Sequence, residues 1–146
     1  MMLDDYSVSG IYAARVSTRL ARPLLMWRVP AGFPSPAEDY VEGSIDLNRD
    51  LVKHPFYTFY VRVDGDSMVP SIQPGALLVV DRMAETKDGD IVVARLGDEF
   101  LVKRLSLADD GRVWLLSENR AYEPLPITEE LDFEVWGRVM HAIQSY

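Results

Sequence analysis

Ser67 is the first residue of the chain whose type and setting suit catalysis. It lies in the segment Asp64-Gly65-Asp66-Ser67-Met68, which follows a predicted strand and precedes Pro70. A serine placed just after a glycine-containing break can present its hydroxyl at a strand end. The backbone N–H groups of Asp66 and Ser67 can then bind an oxyanion. A serine in a Gly/Asp turn is also a common structural feature, so Ser67 alone leaves the question open.

A serine nucleophile needs a base, and histidine and lysine are the candidates. His54 precedes Pro55 at a predicted strand start, and His141 lies in the predicted last strand. No pattern in the sequence brings either histidine to Ser67. A Ser-His-Asp triad therefore stays open, and a structural role is the simpler explanation of both histidines.

Lys103 has a setting that the other two lysines lack. Those two lie in polar, turn-like segments, whereas Lys103 lies inside the predicted strand of residues 100–105. Strand alternation places it on one face with Leu101 and Leu105. An amine held among leucines is desolvated, which favours its neutral form, and a neutral amine can accept the serine proton. The alternative is a lysine whose stem crosses an apolar face to reach water.

The elements that must position these residues are predicted to be strands. From residue 56 onward, short runs rich in aromatic and β-branched residues alternate with turn signals such as Pro74-Gly75 and Asp109-Asp110-Gly111. Gly97-Asp98 is typical of a two-residue hairpin loop with glycine first. The predicted strands are residues 56–63, 76–80, 91–96, 99–105, 113–117 and 133–143, the last with a bend at Gly137. The pattern indicates a mainly β sandwich or barrel-like fold.

The first 43 residues differ from this β-rich part. Residues 29–36 contain three prolines and one glycine and are predicted to be extended, either as a linker or as a peptide offered to a protease cleft. Three arginines of this region fall at helical spacing and allow a short helix. They are Arg15, Arg19 and Arg22. We therefore predict an N-terminal arm, residues 1–43, and a folded domain, residues 44–146.

Composition and charge exclude several classes of protein. The chain has no cysteine, which removes disulfides, thiolate nucleophiles and cysteine-ligated zinc. Its net charge is −8, with +2 on residues 1–31 and −10 on the remainder, so direct binding to DNA is not expected. No stretch approaches the roughly 20 apolar residues of a membrane span, and Asp4 and Asp5 lie where a secretory signal would carry positive charge, so no such signal is expected. We expect a cytoplasmic protein that does not engage a membrane.

The candidate residues also fit a family pattern. Gly65-Asp66-Ser67-Met68, followed by Glu99-Phe100-Leu101-Val102-Lys103, resembles the Ser-Lys dyad of the UmuD/LexA self-cleaving serine peptidases (S24 type). Lys103 follows Ser67 by 36 residues. Residues 31–42, AGFPSPAEDYVE, resemble the UmuD cleavage segment. The resemblance covers residues 29–144 and further includes residues 45–48, residues 90–92, Ser117, Asn119, Tyr122 and Pro124.

The resemblance implies a compact β-sandwich or barrel-like catalytic domain of the LexA/signal-peptidase type, with an extended N-terminal arm. It implies that Ser67 attacks the carbonyl carbon of Ala31, that Lys103 is the base, and that the Ala31–Gly32 bond of the same chain is the substrate. The N–H groups of Asp66 and Ser67 would hold the oxyanion. Proteins of this type are homodimers, and their self-cleavage is stimulated by the RecA filament on single-stranded DNA. No metal or cofactor is implied.

Within this family the UmuD-like branch is favoured. Only 31 residues precede Gly32, too few for the DNA-binding module of LexA-like repressors. In the UmuD-like branch the trimmed form is an accessory subunit of a translesion (Y-family, UmuC-like) DNA polymerase in the SOS response. The sequence departs from UmuD proteins at Ala31, where they carry cysteine. The alternatives are a non-enzymatic dimerisation and partner-binding module with a remnant dyad, and a DNA-binding repressor.

Overall fold

The fold is built on one large antiparallel sheet. The computed structural model describes residues 8–14, 22–25 and 41–146. The strands are β1 (Val8–Ala13), β2 (Arg22–Leu25), β3 (Val41–Ile45), β4 (Thr58–Val63), β5 (Leu77–Asp81), β6 (Ile91–Leu96), β7 (Glu99–Leu107), β8 (Val113–Leu116), β9 (Leu125–Ile127) and β10 (Phe133–Ile143). A short helix, α1 (Leu47–Leu51), and a 3-10 turn, Pro55–Tyr57, precede β4.

Eight strands form the main sheet in the order β1-β4-β5-β10-β6-β7-β8-β9, and every neighbouring pair is antiparallel. β2 and β3 form a separate antiparallel pair. β1 approaches β7, five places along the sheet, so the sheet curls into a half-barrel. The prediction of a mainly β, barrel-like fold is confirmed.

Two apolar clusters hold the curled sheet together. The first joins β4, β5, β6 and β7 to the loop that carries Ser67, and the second joins β6, β7, β8 and β9. The first consists of Val61, Val63, Met68, Ile72, Ala76, Leu78, Val80, Val93 and Val102, and the second of Val92, Ala94, Leu96, Leu101, Leu105, Leu115 and Leu125. Burial of both faces of β6 explains why this strand is a nearly continuous apolar run, and in β7 the same burial falls on its middle, Leu101 to Lys103.

Most predicted strands are present with small shifts in their ends. The predicted strand at 56–63 begins only at Thr58, because Pro55–Tyr57 form the 3-10 turn. The two-residue hairpin at Gly97-Asp98 is confirmed by the pairing of Leu96 with Glu99. The predicted bend at Gly137 coincides with a shift in the pairing of β10 with β6.

The N-terminal region is only partly described. The short helix that the spacing of the three arginines allows does not include Arg22, which begins strand β2, and Arg15 and Arg19 lie outside the described residues. β1 belongs to the predicted arm yet pairs with β4 in the main sheet. The division at residue 43 stays a prediction. No helix in the described parts of the chain is long and apolar enough to cross a membrane.

Gly137 generates a test of the packing between β10 and β5. A Cβ atom added to this buried glycine would lie 2.6 Å from Cγ1 of the fully buried Val80, so neighbouring atoms must move. We expect Gly137→Ala to lower the free energy of unfolding by about 1–3 kcal/mol in urea titrations, as overpacked cores do. Ala142→Ser, on the exposed end of the same strand, adds one atom and should change stability by less than about 0.5 kcal/mol. Equal stability of Gly137→Ala and wild type would contradict the close approach.

Candidate functional site

Ser67 lies in the loop between β4 and β5, and core side chains hold that loop in place. Gly65, the second residue of the loop, has a φ of 79°, in the left-handed region where glycine is favoured. Met68 and Ile72 then pack into the first apolar cluster, and the Ile72 N–H donates to the Met68 carbonyl. Ser67 is therefore drawn inward with its neighbour Met68. It is 1% exposed, in contrast to the exposed hydroxyl suggested by the sequence.

The Ser67 hydroxyl is buried without a hydrogen-bond partner among the described residues. Buried side-chain polar groups are nearly always hydrogen-bonded, and leaving one unpaired costs about 1–3 kcal/mol. Such a group calls for an explanation other than stability. A hydroxyl held inside the protein with its hydrogen-bonding capacity unused suits a group that must engage a substrate or a base.

Lys103 lies in the middle of β7 with its amine inside the protein. The residue is only 5% exposed and lies between Leu101 and Leu105, which are both buried. The predicted apolar setting of Lys103 is therefore confirmed. Its Nζ donates to Ser117 Oγ at 2.8 Å and lies 5.3 Å from the centre of the Tyr122 ring. A neutral hydroxyl and an aromatic ring therefore contact the amine, and buried leucines flank Lys103 on its strand face.

Residues 117–122 connect the surroundings of Lys103 to those of Ser67, and we call them the bridging segment. Besides the contacts of Ser117 and Tyr122 with the amine, the N–H of Asn119 donates to the Ser67 carbonyl at 2.9 Å, and its Nδ2 donates to the Asp66 carbonyl at 3.2 Å. The Tyr122 hydroxyl lies 2.6 Å from Asp66 Oδ1. One six-residue segment therefore holds the backbone of the serine loop and also contacts the lysine amine.

Two backbone N–H groups at Ser67 are available as hydrogen-bond donors. Within the described part of the chain, no hydrogen bond uses the N–H of Asp66 or that of Ser67. Their assignment as oxyanion donors stays a prediction.

The histidines are not placed to activate Ser67. His54 Nδ1 contacts Oδ2 of the buried Asp81, whose Oδ1 accepts from the N–H groups of Met83 and Ala84. Because the Ser67 hydroxyl has no hydrogen-bond partner among the described residues, neither His54 nor His141 is bonded to it. The structure therefore assembles no Ser-His-Asp triad from these groups.

Two further sequence predictions concern the substrate and a metal. The Ala31–Gly32 bond lies outside the described residues, and its role as the cleavage site stays a prediction. In the described ranges, no three His, Asp or Glu side chains are grouped so that they could hold a metal ion.

The bridging segment contains the residues that reasoning from residue types missed. The sequence points to Ser117, Asn119 and Tyr122 only through the family resemblance, which predicts no particular contact for them. The contact of Ser117 with Lys103 could have been predicted from the turn at residues 109–111, because this turn indicates that β7 and β8 form a hairpin. The observed register pairs Arg104 with Leu116, so Ser117 follows directly opposite Lys103.

Comparison with known proteins extends these observations. Residues 23–140 match the family described as Peptidase S24-like. The chain is 44% identical over 124 residues to Protein SamA of Salmonella typhimurium, covering 84% of this chain and 87% of SamA. It is 38% identical over 145 residues to Protein MucA of Escherichia coli, covering 98% and 94%. It is 39% identical over 141 residues to the LexA repressor of Bordetella parapertussis, covering 90% and 64%. The family match includes Ser67, Lys103, the bridging segment and the predicted cleavage bond.

The unpartnered hydroxyl of Ser67 makes a prediction about stability. Since Ser67→Ala removes a buried polar group that has no partner, we expect the free energy of unfolding to stay constant or to rise by about 1 kcal/mol. Thr58→Val is the matched control, because the hydroxyl of Thr58, itself 2% exposed, donates to the His54 carbonyl at 2.8 Å. Its loss should lower stability by about 1–2 kcal/mol. Urea unfolding of both variants tests the contrast, and a Ser67→Ala protein destabilised as much as Thr58→Val would refute it.

Proposed function

The chain is a UmuD-like member of the peptidase S24-like family, and we propose that it is a serine peptidase that cleaves its own Ala31–Gly32 bond. The observation that carries the proposal is the buried, unpartnered hydroxyl of Ser67, whose loop shares the bridging segment with the buried amine of Lys103. Serine peptidase chemistry in general follows from the family. The dyad, the bond and the self-cleavage are the parts that we propose.

In the proposed reaction, neutral Lys103 takes the proton of the Ser67 hydroxyl while Oγ forms a bond to the carbonyl carbon of Ala31. The carbon–nitrogen bond to Gly32 then breaks, and the lysine gives its proton to the departing amine. Water next adds to the Ser67 ester. The water gives a proton to Lys103 while its oxygen bonds to the carbonyl carbon of Ala31, the bond between that carbon and Ser67 Oγ breaks, and Oγ takes the proton from Lys103 as Ala31 leaves with a carboxyl group. No redox step or cofactor is involved.

The surroundings of the lysine support its role as base. An isolated charge is costly to bury, and Leu101 and Leu105 offer it no compensation. The Ser117 hydroxyl and the Tyr122 ring, which both contact the amine, carry no formal charge. Charged neighbours in the chain, Arg104 and Glu118, are paired with each other. The buried position of Lys103 on an apolar strand face is the observation that supports its role as base.

The substrate is tethered to the enzyme in this proposal. Tethering raises the effective concentration of the peptide, so the site needs little affinity for peptides in solution. The N–H groups of Asp66 and Ser67, which take part in no hydrogen bond among the described residues, are the proposed donors to the oxyanion that forms on Ala31.

We propose that the chain acts in the SOS response, where its family membership and its relatives place it in general terms. Self-cleavage would be stimulated by the RecA filament on single-stranded DNA. The product, residues 32–146, would work as a homodimer in the cytoplasm and as an accessory subunit of a UmuC-like Y-family polymerase. Its charge of −10 supports action through protein partners, because it disfavours contact with DNA phosphates.

Self-cleavage is tested by the mass of the purified full chain before and after addition of RecA, ATP and single-stranded DNA. We expect one cut and a product that begins at Gly32. Ser67→Ala should be inert because the nucleophile is gone. Lys103→Ala should be slower by about 10²–10⁴, the usual contribution of a general base. Lys103→Arg should not restore activity, because the guanidinium stays protonated.

The same assay without RecA separates lysine from histidine as the base. A lysine amine ordinarily titrates near pH 10.4, so the cleavage rate should rise steadily from neutral to alkaline pH as the neutral fraction grows. A rate that follows a titration near 6.5, or a Lys103→Ala protein that cuts at full speed, would remove Lys103 from this role. A product that begins at another residue would refute the assignment of the bond.

The partner proposal makes its own prediction. We expect residues 32–146, produced by the protein itself, to co-purify with a Y-family polymerase subunit, and to bind duplex DNA only weakly at physiological salt. The uncleaved Ser67→Ala protein is the control for dependence on trimming. Tight, salt-sensitive binding of the isolated protein to duplex DNA would favour a repressor instead.

A further inference from the structure

The contact between Lys103 and Ser117 indicates how the amine of the proposed base is oriented. This inference rests on the proposed function. We propose that Ser117 is a positioning residue, whose hydroxyl oxygen accepts an N–H of the Lys103 amine and turns the amine's lone pair toward Ser67. Ser117 itself does not touch the substrate in this proposal.

The hairpin of β7 and β8 accounts for the contact. Arg104 pairs with Leu116, so continuing the register by one residue puts Ser117 opposite Lys103. Residues directly opposite each other in antiparallel strands have Cβ atoms about 4.5–5.5 Å apart, which lets the long lysine side chain reach the short serine. The observed Nζ–Oγ distance of 2.8 Å is that of a good hydrogen bond.

The geometry of an amine explains why an acceptor matters. A neutral lysine amine has two N–H bonds and one lone pair, and the intrinsic barrier to rotation about its last carbon–nitrogen bond is low. Fixing one N–H on Ser117 restricts that rotation. The lone pair can then be held toward the nucleophile. This orientation should increase the rate of self-cleavage, because an amine accepts a proton only along its lone pair.

The chemistry of the acceptor matters as much as its position. A carboxylate opposite Lys103 would stabilise the ammonium and disable the base, whereas a hydroxyl accepts the same hydrogen bond without charge. Arg104 pairs with Glu118, and Asp66 accepts from the Tyr122 hydroxyl. A neutral acceptor at 117 therefore orients the amine and leaves it able to accept a proton.

Three substitutions of Ser117 in the full chain test the proposal. Ser117→Ala should reduce the single-turnover rate of self-cleavage by about tenfold at every pH, since one hydrogen bond is lost. Ser117→Thr keeps a hydroxyl and should recover most of the rate. Ser117→Asp should displace the alkaline rise of the rate to higher pH by about one unit or more, because the carboxylate stabilises the ammonium. Ser106→Ala is the matched control, since Ser106 lies on β7 with its side chain on the opposite face from Lys103.

Circular dichroism and thermal unfolding establish that each variant is folded before its rate is compared. A folded Ser117→Ala protein that cleaves at the wild-type rate, beside an inert Ser67→Ala protein, would overturn the role of Ser117 and leave the proposed function intact. An unchanged pH profile in Ser117→Asp would also overturn it. If wild type itself fails to cleave with RecA, ATP and single-stranded DNA, the proposed function fails, and this inference fails with it.

Discussion

The burial of one lysine amine in an apolar sheet is the constraint on which the site depends. Lys103 occupies a position of β7 that strand alternation reserves for the core, between two buried leucines. A charge there is costly, and relief comes from the neutral form or from acceptors at the right distance. The hairpin partner β8 supplies one acceptor, Ser117, as its chain leaves the sheet. The site therefore sits where two strands diverge, because that is where a buried strand position meets a polar segment.

In the part of the chain that the structure describes, Ser67, unlike Lys103, is held in place by contacts of its neighbours and its backbone and not by a hydrogen bond of its side chain. Ser67 has no polar anchor for its own hydroxyl among the described residues, and the loop is fixed by apolar contacts of Met68 and by hydrogen bonds from Asn119 to its backbone. The surroundings thus determine where the side chain lies without consuming its hydroxyl. An unpaired buried hydroxyl lowers stability, and such costs are typical of groups kept for function. The bridging segment, only six residues long, contacts both the Lys103 amine and the backbone of the Ser67 loop.

The parts of this structure that were predictable from sequence are those set by local patterns. Alternation in β7 placed Lys103 correctly, and glycine-containing turns marked most of the strand ends. The helix α1 was missed because five residues are too few for a periodic pattern, although Asp46 caps it by accepting from the Asn48 N–H. β9 was missed because it has three residues and contains Pro126, which an edge strand tolerates. The burial of Ser67 and the contacts of residues 117–122 depend on long-range packing, which no local pattern encodes.

The topology also gives the proposed cleavage a structural consequence. The Ala31–Gly32 bond falls, in sequence, within the connection between β2 and β3, which are paired with each other. Cutting it would leave β1 and β2 attached to the domain without a covalent link, and the contacts described for them are strand pairing and the packing of Val8 and Ile11 against the first apolar cluster. β1 pairs with β4, and β4 leads directly into the loop of Ser67. Loss of β1 would make β4 an edge strand with unpaired backbone groups, and such edges readily pair with another chain. The proposed reaction would therefore convert a covered edge of the main sheet into an available one, next to the nucleophile that made the cut.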